Sequence, residues 1–408
     1  MKEVAFWKKE LRDKVLDRID YGREMTDEEV KDTIDEVMLQ EEGLQFCTIS
    51  TRQKIRKELF DSMRRLDILQ LFVEDPSVSE IMINGSNHLF VEREGRLEEL
   101  DMQFESEEKL KNVIQQIVAG CNRTVNEASP IVDARLSNGA RVNVVMSPVA
   151  LDGPAVTIRR FPEKPITVEE LIRREAISEE AAVFLRKLVQ AKYNIFISGG
   201  TGSGKTTLLN VLSGYIPTDE RVITIEDNAE LQLQGIRNLV RLEVRNGNAE
   251  GCQEITVRDL IRTTLRMRPD RIIIGEVRGP EAIDMVQAMN TGHEGSMSTG
   301  HANSAADILS RLENMILMGM ELPLDAIRQQ LASGIDIIVQ LGRLRDKTRK
   351  VLEIMELAGY EKGEYILQPL YTFQETGQTA DGRITGELRK AGELIHDRKL
   401  KMAGITTG

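Results

Sequence analysis

Residues 199–206 read GGTGSGKT, a match to the spacing G-x-x-x-x-G-K-[ST]. Its flanks decide what that match means. Ile195, Phe196 and Ile197 form an apolar strand candidate that leads in, and Leu208, Leu209 and Leu212 mark a helix that leads out. Glycines at 199, 200, 202 and 204 let the backbone curl so that several N–H groups face one point at a helix N-terminus, which makes an anion-binding nest. Gly/Ser-rich turns are common in loops, but strand, glycines, lysine and helix in one register read as a phosphate-binding loop. In that reading Gly199, Gly200, Thr201, Gly202, Ser203, Gly204, Lys205, Thr206 and Thr207 surround the phosphates of ATP. Lys205 reaches the β- and γ-phosphates, and Thr206 places its hydroxyl on Mg²⁺.

Such a loop needs carboxylates across the site to hold Mg²⁺ through water and to position the attacking water. In a doubly wound sheet they emerge at the carboxyl ends of neighbouring strands, so the expectation is a pair of strands next to the loop's own. Residues 221–227, RVITIED, end in Glu226 and Asp227, with Glu230 one turn on; residues 271–276, RIIIGE, end in Glu276. Glu226 is expected to orient or deprotonate the water and Glu276 to support the metal shell, so that Thr206, Glu226 and Glu276 are the metal-side residues. Carboxylates at strand ends are otherwise ordinary solvated caps. His293 and His301 are two of only four histidines and lie within TGHEGSMSTGHA, 291–302. No cysteine or third histidine accompanies them as a zinc site requires. The glycines and hydroxyls around them suggest a polar strand or loop that senses the γ-phosphate, with a satisfied structural pair as the alternative.

Working outward, residues 167–375 alternate strand and helix candidates, as in a parallel sheet covered on both faces. Strands are expected near 194–198, 222–225 and 271–274, and again at 335–341, 351–357 and 365–367; helices near 206–213, 256–267 and 281–289. Upstream, Phe161 to Pro165 carries two prolines and reads as a linker and flexible joint. Residues 80–84 and 88–92, separated by Gly85 and Asn87, read as strand–turn–strand, with further strands at 140–146 and 155–160. The first 70 residues read as helices: Trp7, Leu11, Val15 and Ile19 recur every four residues, and Thr26 with Glu29 forms a capping box. The expected organisation is a helical segment over 1–70, a mixed α/β (PAS-like) domain over 71–162, a RecA-like P-loop domain with a C-terminal subdomain over 163–375, and a weakly ordered tail over 376–408.

The 408 residues are 41% hydrophobic and 29% charged, a globular balance. No window approaches the eighteen consecutive apolar residues of a membrane span, and the opening residues mix charges of both signs, unlike a signal peptide. The expectation is a cytoplasmic protein without direct membrane insertion. The net charge of −12 supplies no general pull toward phosphate backbones, so no nucleic-acid partner is expected. Cys47, Cys121 and Cys252 form no C-x-x-C pair and read as reduced structural residues.

The ordered set GGTGSGKTT, TIEDNAELQL, RPDRIIIGEVRG and TGHEGSMSTGHANSA resembles the four signatures of the type II/type IV secretion ATPase superfamily: a Walker A, an acidic box, an atypical Walker B with Gly-Glu, and a histidine box. VEDPSVSEIMING, ASPIVDARLSNGARVNVV and ALDGPAVTIRRF resemble the N-terminal domain of the CpaF-type branch, which serves tight-adherence pili. The likeness covers about residues 70–375. It implies an ATP hydrolase working as a homo-hexameric motor, peripheral at the inner face of the cell membrane, that drives pilus assembly or protein secretion through an inner-membrane platform protein. It also implies that ATP lies between the N-terminal domain and the ATPase domain, with arginines approaching the γ-phosphate; Arg135, Arg141, Arg159 and Arg160 match those positions, and Arg278 is a further candidate. The tetracysteine zinc module usual in the type II branch is absent from the sequence. Alternatives are a traffic ATPase of a type IV secretion system, a RecA-like nucleic-acid motor and a non-motor nucleotide-binding regulator.

Overall fold

In the computed structural model the described residues are 2–406, apart from 21, 24, 94, 122, 137, 161–164 and 246–252. The expected joint at 161–165 and Cys252 therefore fall almost entirely or entirely outside them. Two compact units emerge, 1–163 and 164–408. Among the described residues no helix is long and apolar enough to cross a membrane.

The first unit opens with α1 (Lys2–Leu16), α2 (Asp27–Gln40) and α3 (Ile49–Arg64), followed by the short α4 (Gln70–Glu74). The capping box at Thr26 forms: its side chain accepts from Glu29 N while Glu29 accepts from Thr26 N. Leu11, Val15, Val30, Ile34, Val37, Ile55 and Leu59 interlock as the bundle core, with Trp7 and Ile19 packed against it. Beyond it, β1 (Val78–Asn84), β2 (His88–Arg93), β3 (Arg96–Leu100), α5 (Glu107–Ala119), β4 (Ile131–Arg135), β5 (Arg141–Val145) and β6 (Ala155–Arg159) make an antiparallel sheet of order β3-β2-β1-β6-β5-β4. Helix α5 starts because Ser106 caps Lys109 N, and it buries Leu110, Val113, Ile114, Ile117 and Val118, one face at helical spacing. Bundle and sheet belong to the same unit and share charged contacts. Lys8 of α1 donates to Asp67 at 2.7 Å, and Lys109 of α5 lies 3.7 Å from the same carboxylate while donating to Ser62 O of α3 at 2.7 Å. Arg12 adds a 2.6 Å pair with Glu105.

The second unit runs α6 (Val168–Arg173), α7 (Glu179–Gln190), β7 (Ile195–Gly199), α8 (Lys205–Ser213), β8 (Arg221–Glu226), β9 (Asn238–Glu243), α9 (Val257–Thr264), β10 (Arg271–Ile274), α10 (Ala282–Asn290), β11 (Met297–Gly300), α11 (Ala305–Gly319), α12 (Leu324–Gly334), β12 (Ile337–Arg343), β13 (Arg349–Glu361), β14 (Glu364–Gln378), β15 (Ile384–Lys390) and α13 (Arg398–Met402). Among the described residues its nine strands are ordered β15-β14-β13-β12-β7-β11-β10-β8-β9. From β12 to β9 they are parallel, and β13 to β15 extend the sheet as antiparallel hairpins. Strands β7 and β10 are buried along their whole length, the continuous apolar run of a sheet covered on both faces.

Two expectations are corrected here. The residues after 375 are not a loose tail: β15 pairs with β14, and the segment after it is tied back. Buried Glu356 accepts from Ile395 N and His396 N at 2.6 and 2.8 Å, and Lys399 meets Asp336 at 2.7 Å. The acidic strands β8 and β10 are not neighbours of β7 either. Strand β11 stands between β7 and β10, and β8 lies one place further out.

Candidate functional site

The phosphate-binding loop joins β7 to α8 at the carboxyl end of the parallel strands. Gly204 is the N-cap of α8 at φ +99°, a left-handed conformation that only glycine adopts without strain. Lys205, first residue of the helix, is buried, and its ammonium donates to Gly199 O and Gly200 O at 3.1 Å each. Ser203 Oγ is buried inside the loop with no partner among the described residues. Thr206 and Thr207 follow on the first turn, half-buried; Thr201 and Gly202 are exposed at the tip.

Because β11 separates β7 from β10, the residue after β11 fills the gap, and that residue is His301. Its Nδ1 lies 3.2 Å from Lys205 Nζ and its Nε2 lies 2.8 Å from Glu276 Oε1. The other oxygen of Glu276 accepts from Arg278 at 2.7 Å, and Arg278 also approaches Asp227 at 3.7 Å. A chain Lys205–His301–Glu276–Arg278 thus crosses the mouths of three strands. Burial first, and the Lys205 charge next, lower the His301 pKa. The neutral imidazole can accept from Lys205 at Nδ1; its Nε2 approaches Glu276 Oε1 closely, an oxygen that is buried and makes no hydrogen bond among the described residues.

Glu226 closes the far side. Its Oε2 accepts from Glu230 N at 2.7 Å and Leu231 N at 2.8 Å; its Oε1 is buried with no partner among the described residues. Burial, opposed by those two N–H groups, pushes the carboxyl up to about 7. What lets Glu226 lie there is Gly275, where a Cβ would come within 3.0 Å of Glu226 Cγ. Sequence reading noted the Gly-Glu pair without giving the glycine a role; the signal was its unusual place between a buried strand and a carboxylate.

His293 is not part of this arrangement. The register pairs Met297 with Ile195 and Gly300 with Ser198, so His293, before β11, lies toward the amino ends of the strands and His301 at the carboxyl ends. His293 Nδ1 is 3.3 Å from Ala288 O.

In the first unit Arg135 faces Arg141 across β4–β5, and Arg141 faces Arg159 across β5–β6. Three like charges therefore share one row of the sheet, an arrangement that destabilises strands by itself. Arg160 behaves differently: its guanidinium donates to the backbone carbonyls of Asp75 and Val78.

A nest at a helix N-terminus, a buried lysine and carboxylates at the carboxyl ends of a parallel sheet define a nucleotide-phosphate site on a RecA-like fold. The chain belongs to the type II/IV secretion system protein family, a family of secretion ATPases whose model matches residues 64–385. A putative conjugal transfer protein of Mycobacterium tuberculosis is 33% identical over 71% of this chain and 84% of its own. Conjugal transfer protein TrbB of Rhizobium radiobacter is 31% identical over 81% of this chain and 99% of its own. Among solved structures the ATPase DotB of Yersinia pseudotuberculosis shares the fold with a TM-score of 0.55 at 18% identity, over 71% of this chain and 78% of that one.

Proposed function

We propose that this chain binds and hydrolyses ATP at the carboxyl end of its parallel sheet, and that copies assembled as a homo-hexameric ring power a machine at the cytoplasmic face of the inner membrane. The observation that carries this is the pairing of a phosphate loop with a buried carboxylate oxygen on Glu226 that has no partner among the described residues. A buried acceptor without a donor is costly and suits a bound water. In this reading the N–H groups of 199–206 and Lys205 hold the β- and γ-phosphates. Thr206 and Glu276 are suited to Mg²⁺ by donor chemistry, with Glu226 bordering its shell; the ion would neutralise charge on the transferred phosphoryl group. Glu226, with a carboxyl near 7, takes the water's proton at neutral pH. When Lys205 turns to the γ-phosphate it leaves His301, so His301 registers occupancy and passes it to Glu276. A finger is sought among Arg135, Arg141, Arg159 and Arg278, since Arg160 is committed to two backbone carbonyls.

Turnover by the purified full chain tests the chemistry. Mg²⁺-dependent hydrolysis should fall by about 10²–10³ in Lys205→Ala. Tight ATP binding without turnover in the unaltered chain would make it a regulator, and stimulation by DNA would make it a nucleic-acid motor.

The tight-adherence pilus is the reading that the N-terminal motifs favour. The names of the relatives favour a second: a traffic ATPase of a conjugation-like system. Expressing Glu226→Gln beside the unaltered chain separates them, because a stalled subunit in a ring is dominant. Lost surface pili with normal plasmid transfer selects the first, and the reverse selects the second.

A further inference from the structure

The family match begins at residue 64, so the helical bundle before it lies outside the matched span. Glu28, Asp32 and Glu36 recur every four residues on α2 and are exposed. Like charges at that spacing destabilise a helix by a few tenths of a kcal/mol per pair. The other α2 acids are matched: Asp27 by Arg64 and Arg65, Glu29 by Arg23, and Asp35 by Arg56. The stripe runs directly into apolar residues. Leu39 is 82% exposed, Phe46 92% and Ile49 68%, and all three lie at the connection between α2 and α3. Large apolar side chains so exposed within eleven residues mark a contact surface. Their backbone is held from beneath, because Leu44 and Cys47 of the same connection are buried in the bundle core.

We propose that the outer face of α2 and its Leu39–Phe46–Ile49 tip dock a basic, amphipathic cytoplasmic segment of an integral inner-membrane protein. The charge pattern selects this occupant. A helix with Lys or Arg at four-residue spacing meets Glu28, Asp32 and Glu36 while an apolar end meets the tip. Cytoplasmic loops of membrane proteins carry an excess of Lys and Arg. An anionic lipid surface attracts basic segments and is repelled by this acidic stripe. The inference rests on the membrane-machine reading above and names the surface that reading requires.

The test uses the full chain with inverted inner-membrane vesicles from its own cell, measured by co-flotation. Two variants are compared with the unaltered chain: Leu39→Asp/Phe46→Asp and Glu28→Lys/Asp32→Lys/Glu36→Lys. Both alter exposed residues, and an unchanged circular dichroism spectrum and melting curve show that each is folded. Expected are binding by the unaltered chain, a loss of about tenfold or more in each variant, no binding to protease-treated vesicles, and none to protein-free vesicles of phosphatidylethanolamine and phosphatidylglycerol. Undiminished binding by both variants overturns the docking surface and leaves the membrane machine intact. Binding to the protein-free vesicles replaces the protein partner with lipid, and loss of ring assembly in the variants replaces it with a second copy of the chain. If the unaltered chain turns over ATP but binds no membrane, the machine reading and the surface fall together.

Discussion

Asn194 and Arg271 at the amino ends of the parallel strands and Ser203 and Glu226 at the carboxyl ends are treated in opposite ways. At the amino ends, Asn194 donates to Gly334 O at 2.7 Å and accepts from Gly295 N and Ser296 N at 2.8 and 3.1 Å. Arg271, fully buried, spends its guanidinium on Glu220 at 2.5 and 3.1 Å and on Val189 O at 2.6 Å. At the carboxyl ends Ser203 Oγ and Glu226 Oε1 are also buried and have no partner among the described residues. A saturated network holds strands in register; an unsaturated one keeps capacity for something that arrives from solution. The same polar residue types thus separate into architecture and chemistry by what remains unsatisfied.

Glu226→Gln probes this contrast most sharply. Turnover should drop by roughly 10²–10⁴ with nucleotide binding retained, while stability changes the other way. Below pH 4.5, the ordinary value for a glutamate, the Glu226 carboxyl is protonated in both states, and between there and about 7 the unfolded chain ionises first. The native chain therefore loses stability as pH rises through that window, by up to ~3 kcal/mol. Melting curves without nucleotide should show the Gln variant free of this loss. Arg271→Met is the mirror experiment. It leaves Glu220 with only Lys192, 3.7 Å away, and should cost about 3–5 kcal/mol, read as a lower melting temperature with turnover unchanged well below melting. A smaller effect is expected of Gly275→Ala, whose Cβ displaces Glu226: about 10² in turnover with affinity for ATP kept. His301→Asn should lower turnover by roughly 10–100-fold, whereas His293→Asn, at the saturated end, should leave it unchanged. Equal effects from the two histidine variants would dissolve the comparison.

The sequence made the phosphate loop legible because strand, glycines, lysine and helix must all fall in order, and chance rarely supplies all four. It made Glu226 and Glu276 legible as strand-end acids. It could not separate His293 from His301: eight residues apart look close, but a strand advances roughly 3.3 Å per residue, and β11 lies between them. Nor could it reveal that β11 intervenes between β7 and β10, because strand order is set by pairing across the sheet. The last strand was hidden for a local reason. In β15 only Ile384 and Leu388 are buried, four apart among Gly386 and charged residues, so no alternation signals it. Arg160 looked like its neighbour Arg159 until the fold turned its guanidinium onto backbone carbonyls.

Asp67 sits at φ +52°, and its carboxylate is shared between Lys8 of α1 and Lys109 of α5. In mechanical terms this is a weld. Bending the bundle against the sheet would expose a buried charge, which holds the two together. If the chain is the motor proposed above, Asp67→Ala leaves an engine running on a slipping clutch, with ATP consumed and nothing moved.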